Sequence, residues 1–266
     1  MGASWYDSLQ VKLIKRYSRG LTFTGSYAFS KTLDNYEGNG YIYNRQDFKG
    51  LSIQDRPQLL SVSVNYTMPA YGFVKKNTAT RTLLAGWTFG TVSQFSSGPP
   101  LAAPGSNNGI GTYLPGSSSR QFRVPGQSLY TKDINCGCFD PTNETILNPA
   151  AWSDQAQGVF GSGSVYYSDF RGKRRPVESF NVGKRFPIRG EKMAFTVRAE
   201  VFNPFNRLLV LSDPSTGSPA LAPTRSPAGL LTGGFGYVNY TAITSNSVGG
   251  NFPSPRTMQV VARFEF

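Results

Sequence analysis

The chain ends in the stretch RTMQVVARFEF, residues 256–266, in which apolar and polar side chains alternate. One face of this stretch carries Met258, Val260, Ala262, Phe264 and Phe266. The opposite face is mostly polar and carries Gln259, Val261, Arg263 and Glu265. A period of two residues predicts a β-strand with one apolar and one hydrated face. The question for the whole chain is what covers such an apolar face.

Further segments along the chain show the same alternation. They cover residues 6–15, 21–30, 58–68, 87–97, 178–188 and 193–202. No segment of comparable length carries an apolar stripe of helical period with capping residues. No apolar run approaches the roughly 18 residues that a membrane-spanning helix needs. The sequence therefore predicts an all-β fold, an antiparallel up-and-down meander of about seven or eight long strands.

The connections between these segments alternate in length. The shorter ones cover residues 16–20, 69–86 and 189–191. The longer ones cover residues 31–57, 98–177 and 203–255. In a meander, alternate connections lie at the same end of the sheet, so all the long ones share one end. Outer-membrane barrels have this asymmetry, with short periplasmic turns and long extracellular loops.

The predicted strands also have the length that a membrane barrel requires. About 9–11 residues cross a bilayer at a tilt, whereas strands of globular proteins are most often about 5–6 residues long. Aromatic residues near strand ends, such as Tyr66, Trp87 and Phe264, suit the two membrane interfaces. We therefore expect a partial outer-membrane β-barrel with long extracellular loops.

Two other arrangements are compatible with the alternation. A soluble β-sandwich also has strands with one apolar face. The alternative function is thus a secreted β-sandwich module for carbohydrate binding or adhesion, which would use the loop aromatics Trp152, Tyr166 and Tyr167. The other arrangement is a small closed barrel of eight strands, with an extra strand within residues 236–243.

The composition argues against nucleic-acid binding and catalysis. The net charge is +12, but RGKRR at residues 171–175 is the single dense basic cluster, and scattered charge indicates a solvated surface. The chain has no histidine, which excludes a Ser-His-Asp or Cys-His arrangement. Cys136 and Cys138 are too close for the usual zinc spacing, so they form a local disulfide or remain thiols. We expect no enzyme activity, no metal and no cofactor.

Several short motifs occur along the chain in a fixed order. They are SKTLDN (30–35), DRPQ (55–58), GW (86–87), SSGPP (96–100), NPAAW (148–152), RGKRRP (171–176), NVGKRF (181–186), RAEVFNPFNR (198–207) and the closing strand. In this order they resemble the C-terminal barrel region of the Oar-like TonB-dependent outer-membrane receptors. The resemblance covers essentially the whole chain. It departs from the family pattern at Gln58, where a histidine is expected, and in the loosened run GSGSVYYSDF before the basic cluster.

The resemblance implies both an architecture and a function. Such receptors have a carboxypeptidase-regulatory-like domain, a plug and a barrel of about 22 strands. No plug, signal peptide or TonB-engaging segment is visible here, so residues 1–266 would be the C-terminal portion of the barrel, a fragment. Within an intact receptor it would serve the passage of a large or scarce ligand across the outer membrane of a Gram-negative bacterium. TonB would act only through the absent plug.

The resemblance also implies a role for the last strand. In outer-membrane barrels a final strand that ends in an aromatic residue serves as the signal for the barrel-assembly machinery. The residues expected to form this signal are Val260, Ala262, Phe264 and Phe266.

Two sets of charged residues are further candidates. An arginine at the lipid-facing midplane of a barrel costs about 2–4 kcal/mol, so we expect charges on the last two strands to face the lumen and to pair across strands. These are Arg198, Glu200, Arg263 and Glu265. The basic cluster lies on the long-loop side, within reach of outer-membrane lipid and lipopolysaccharide phosphates. Its candidate contacts are Arg171, Lys173, Arg174 and Arg175.

Overall fold

The computed structural model describes residues 2–35, 48–69, 84–113, 119–136, 138–159, 164–188, 193–207, 212–217, 219–239 and 255–266. Its strands are β1 (Ser4–Ser18), β2 (Leu21–Asp34), β3 (Gly50–Leu51), β4 (Gln58–Thr67), β5 (Trp87–Ser96), β6 (Pro100–Ala102), β7 (Phe122–Arg123), β8 (Trp152–Ser153), β9 (Tyr166–Arg171), β10 (Arg175–Pro187), β11 (Ala194–Phe202), β12 (Pro223–Arg225), β13 (Leu231–Gly234) and β14 (Thr257–Glu265). Helix α1 (Ile110–Tyr113) and a single 3-10 turn (Pro149–Ala151) complete the described elements. Neither is long and apolar enough to cross a bilayer.

The long strands form one antiparallel sheet in the order β1-β2-β4-β5-β10-β11-β14. They are the segments that the alternation predicts, and the all-β antiparallel meander is confirmed. The β1–β2 hairpin is longer than predicted, because its pairing continues from Ser18↔Leu21 to Ser4↔Asp34. The tight turn between these strands uses positive φ angles at Arg19 and Gly20, which is the backbone of a two-residue type I′ hairpin.

The sheet is open at both sides. Within the described ranges, β1 pairs with β2 alone and β14 pairs with β11 alone. The closed eight-stranded arrangement is therefore not observed. Its extra strand is absent from residues 236–239, and residues 240–243 lie outside the described residues. The strands also have two ends. The end at which β1 connects to β2 and β10 connects to β11 is called the turn end of the sheet, and the opposite end is called the loop end.

The buried core lies in the long connections rather than under the sheet. The short strands β6 to β9 and β12 to β13 form two-stranded pairs at the loop end. Their buried cluster consists of Leu101, Ala103, Leu129, Ile146, Leu147, Ala151, Trp152, Phe170, Phe235 and Val238. The ring centroids of Trp152 and Phe170 are 5.0 Å apart. We refer to this packed unit as the outer cap, and its existence was not predicted from the loop composition.

Two glycines allow the connections of the outer cap to cross. Gly98 follows β5, and Gly172 lies between β9 and β10, where its N–H donates to the Pro99 carbonyl at 2.8 Å. A Cβ atom at Gly98 would overlap the Gly172 carbonyl, and a Cβ at Gly172 would overlap the Asp213 carboxylate. The glycines of the SSGPP and RGKRRP motifs are therefore explained by close backbone approach.

We predict that Gly98→Ala destabilises the outer cap, because the added methyl meets backbone atoms that have no room to move. The free energy of unfolding, measured by urea titration in detergent, should fall by about 1–3 kcal/mol. Gly105→Ala is the matched control, since no atom lies within 4 Å of its Cβ position. Equal loss in both variants would show that the crossing is not tightly packed.

Candidate functional site

The register of the sheet separates apolar from polar side chains over its full width. One row across the strands reads Val260, Ala199, Val182, Phe89, Tyr66 and Leu21. The next row, on the opposite face, reads Gln259, Glu200, Asn181, Gly90, Asn65 and Thr22. Successive residues of a strand point to opposite faces, so the alternation within each strand becomes two continuous surfaces. We call them the apolar face and the polar face.

The apolar face is exposed. Leu13 has 65% of its surface accessible, Val260 has 61% and Phe89 has 45%. Contiguous apolar patches on soluble monomers rarely exceed a few hundred Å², and here the patch extends across the whole sheet. Such a face requires apolar surroundings. In a β-sandwich this face would instead be buried by a second sheet.

The polar face carries two groups of charges, one in the middle of β11 and one near the turn end. Arg198 Nη2 lies 2.5 Å from Glu200 Oε1, and Arg263 Nε lies 3.6 Å from Glu265 Oε1. Gln259 Nε2 donates to the second oxygen of Glu200. All four of the predicted charges share this face, but their ion pairs run within each strand and not between β11 and β14.

A fifth charge, from β10, joins the group near the turn end. Arg185 Nη2 lies 3.4 Å from Glu265 Oε2, although β11 separates their strands. The bridge is possible because the residue between them, Ala194, pairs with Glu265 and has only a methyl side chain. Sequence reasoning missed Arg185, yet its odd position in NVGKRF placed it on the polar face.

A cavity of about 700 Å³ lies where the outer cap meets the apolar face. Its floor is formed by Tyr27, Leu60, Phe95 and Pro176, which all point to that face. Its remaining walls come from loops of the outer cap and include Cys136. Cys136 and Cys138 form a disulfide, which suits an oxidising compartment outside the cytoplasm.

The family model of the outer membrane beta barrel domain matches residues 1–259 of the chain. The chain belongs to this family. Searches of curated proteins and of solved structures find no match. Family membership places the protein in the outer membrane of Gram-negative bacteria, where lipid supplies the surroundings that the apolar face requires.

The secreted sandwich alternative does not agree with the structure of this outer-membrane barrel protein. Trp152 is only 4% exposed and Tyr166 only 9%. Trp152 also packs against Tyr167, with 6.0 Å between ring centroids. These aromatics therefore stabilise the outer cap instead of forming an exposed carbohydrate platform.

Among the ionisable residues on the apolar face of the barrel sheet, two that sequence reasoning missed are buried. Lys184, near the turn end, donates from Nζ to the Ala85 carbonyl at 2.7 Å. Its Nζ lies 5.2 Å from the Trp87 ring centroid, so the aliphatic stem is covered by aromatic surface. Lys184 and Trp87 lie near the turn end, where a lysine can direct its charge to the membrane interface.

The second residue, Glu178, is near the loop end. Arg207 Nε and Nη2 donate to its two carboxylate oxygens at 2.9 and 3.2 Å. The turn that carries Arg207 has positive φ angles at Asn203 and Asn206, a conformation that asparagine tolerates. The NPFNR motif thus folds back over the sheet and neutralises an outward-facing carboxylate.

The basic cluster divides into two functional pairs. Arg171 donates to Asp55 Oδ2 at 2.5 Å, with 14% and 2% of the two side chains exposed. It is therefore not available to a lipid phosphate, which corrects the expectation for this residue. Arg175 lies 3.1 Å from Asp213 and is likewise engaged in an ion pair. Lys173 and Arg174 line the cavity.

Asp55 and Arg171 connect four segments of the chain. Asp55 Oδ1 accepts a hydrogen bond from the Thr32 N–H at 2.7 Å, and Arg171 also donates to the Gly98 carbonyl at 3.3 Å. The pair thereby joins β2, the connection before β4, the connection after β5 and β9. The DRPQ and RGKRRP motifs therefore share a structural role, because each supplies one residue of this ion pair.

The last strand lies at one edge of the sheet and is followed by an aromatic residue. Val260, Ala262 and Phe264 share the apolar face, and the outer edge of β14 has no neighbouring strand among the described residues. Phe266 follows β14 and is 97% exposed. Its ring centroid lies 6.3 Å from that of Phe264. No group of three or more metal-ligating side chains occurs among the described residues.

We predict that Asp55→Asn destabilises the protein by about 3–5 kcal/mol, because Arg171 would keep a buried charge without its anion. Glu144→Gln is the matched control, since Glu144 pairs with Lys132 on the surface and exposed pairs contribute about 0–1 kcal/mol. Urea unfolding in detergent measures both. A similar small loss of unfolding free energy in the two variants would contradict a buried ion pair.

We predict that Tyr130 makes stability sensitive to alkaline pH. Its hydroxyl donates to the Arg171 carbonyl and accepts from the Arg171 N–H, both at 2.6 Å. Burial raises the pKa of Tyr130 from 10.0 to about 12. A raised folded-state pKa stabilises the neutral form, so this stabilisation is complete below pH 10 and is lost as pH rises towards about 12.

The measurement is the free energy of unfolding as a function of pH. Tyr130→Phe should reduce its alkaline slope, whereas Tyr113→Phe, at an exposed position, should leave the slope unchanged. An unchanged slope in the Tyr130 variant would show that another group controls alkaline unfolding.

Proposed function

We propose that this chain forms the C-terminal wall of a TonB-dependent outer-membrane transporter of the Oar-like type. Within the intact receptor, the barrel passes a large or scarce ligand across the outer membrane. The observation that carries the proposal is the open sheet of seven long strands in sequence order. Seven strands are about one third of a transporter barrel of about 22 strands.

The open edges of the sheet require further strands. In lipid, each unpaired backbone N–H or C=O group costs several kcal/mol, and a barrel spans the membrane only when it is closed. Both β1 and β14 have one edge without a neighbour among the described residues. Strands from the rest of the receptor would complete these two ladders.

The two faces and two ends of the sheet have distinct roles in this proposal. The loop end with the outer cap faces the cell exterior and binds the ligand, and the turn end faces the periplasm. The polar face lines the lumen, where Arg185, Arg198 and Arg263 form ion pairs with Glu200 and Glu265. Energy reaches the barrel through TonB and a plug region. The protein catalyses no reaction.

The assembly machinery is the partner proposed for β14. Phe266 and Phe264 lie at the periplasmic end in this orientation, next to an edge that can receive another strand. Nucleic acid has no part in this function, because basic residues near the cavity are few and the neighbouring arginines are in ion pairs.

The proposal predicts how the chain behaves in its own outer membrane. A tagged chain should remain in the pellet after alkaline extraction. Without heating, it should migrate on a gel in a barrel larger than the chain itself, together with a plug region, and should cross-link to TonB. Heating should unfold that barrel and shift its mobility.

Two outcomes would contradict the proposal at different levels. A closed barrel of the chain's own mass that never cross-links to TonB would contradict the transporter role. It would still agree with an outer-membrane barrel. Release by alkaline extraction would remove the membrane assignment itself. A porin of the same membrane is the control for both extraction and heat-dependent mobility.

A further inference from the structure

The cavity under the outer cap opens on the apolar face and not on the polar face. Its floor residues Leu60, Phe95 and Pro176 lie within three residues of the loop ends of β4, β5 and β10. The cavity therefore lies at the outer border of the lipid-facing surface. A ligand that travels through the lumen would not reach it.

The charged side chains that line this cavity are all basic. Among the described residues that line it, Lys173, Arg174 and Arg207 are basic and none is acidic. Arg207 is bound to Glu178, which lies beneath it on the sheet. No salt bridge among the described residues involves Arg174, whose side chain is exposed. The cavity thus combines an apolar floor with a cationic rim.

A separate groove lies on the apolar face further along the same strands. This groove has a volume of about 300 Å³ and is lined by Val64, Phe89, Thr91, Phe180 and Val182, among others. On β5, Ser93 alone separates Thr91 in the groove from Phe95 in the cavity on the same face. The small side chains of Thr91 and Ser93 lie between the larger rings of Phe89 and Phe95. They leave a shallow channel for a linear apolar group, which we call the β5 track.

We propose that the cavity binds a phosphorylated glycolipid of the outer leaflet, with its phosphate at Arg174 and Lys173 and one acyl chain along the β5 track. Charge complementarity selects the anion, because guanidinium and ammonium groups donate charge-assisted hydrogen bonds to phosphate oxygens. Continuity with the apolar face selects a lipid over a free anion. The assignment to the outer leaflet rests on the orientation in the proposed function.

The lipid would act as a structural ligand. It would occupy the space between the sheet and the cap loop that contains Cys136, and so hold the outer cap on the membrane surface. Lys173 contributes from a half-buried position, where burial lowers the pKa of its ammonium group and nearby Asp133 opposes that effect. Substitution of Arg174 is therefore the more direct test of phosphate binding.

The experiment measures retention of diphosphorylated lipid A by the full chain, refolded in a zwitterionic detergent, using native mass spectrometry. Arg174→Ala should weaken retention by about tenfold, the loss expected for one charge-assisted contact. Arg174→Glu should weaken it further. Lys132→Ala removes one positive charge elsewhere in the outer cap, on a residue that pairs with Glu144, and should leave retention unchanged.

Competitors separate the possible ligands. Unphosphorylated lipid A and inorganic phosphate should each fail to displace the diphosphorylated lipid, because each supplies only half of the recognised chemistry. Displacement by inorganic phosphate would overturn the lipid assignment. Equal loss of retention in the Arg174 and Lys132 variants would overturn the site. Circular dichroism of each variant verifies the β-sheet, and lipid retention does not depend on TonB.

Discussion

The rest of the structure depends on one constraint, an apolar surface that spans seven neighbouring strands and is exposed over much of the described sheet. Each strand contributes a row of apolar side chains, and antiparallel pairing aligns the rows into one face. In water this face would drive aggregation, whereas in lipid it is the required exterior. The family match and this exposed face therefore point to the same environment.

The location of the buried core follows from that constraint. Hydrocarbon solvates the outer face of the sheet, so the sheet needs no apolar layer packed against it. The long connections emerge into water at one end and must bury apolar groups of their own, which they do around Trp152 and Phe170. Buried charges such as Asp55 and Arg171 also occur there, paired at short distance. The buried hydrophobic core thus lies in the outer cap, and the membrane sheet has no such core among the described residues.

The proposed transporter role and the proposed lipid site use different surfaces. Transport concerns the polar face and the open edges of the sheet, which need strands from the rest of a receptor. The lipid site concerns the border between the apolar face and the outer cap, where Arg174 and Phe95 line one cavity. The lipid site takes from the transporter proposal only the orientation of the loop end towards the cell exterior. Both depend on the same alternation of side chains.

The sequence by itself determined the strands, their faces and the asymmetry of their connections, because a period of two is a local property that each strand displays alone. Residues such as Val260 and Glu265 could be assigned to faces from parity alone. Only the tertiary structure decided which charges meet, since Arg171 and Asp55 are distant in sequence and Arg185 reaches Glu265 across a third strand. It also decided that Trp152 is buried and that the basic cluster divides between ion pairs and a cavity. Those outcomes depend on how long loops pack, and loop packing leaves no periodic signal in a sequence.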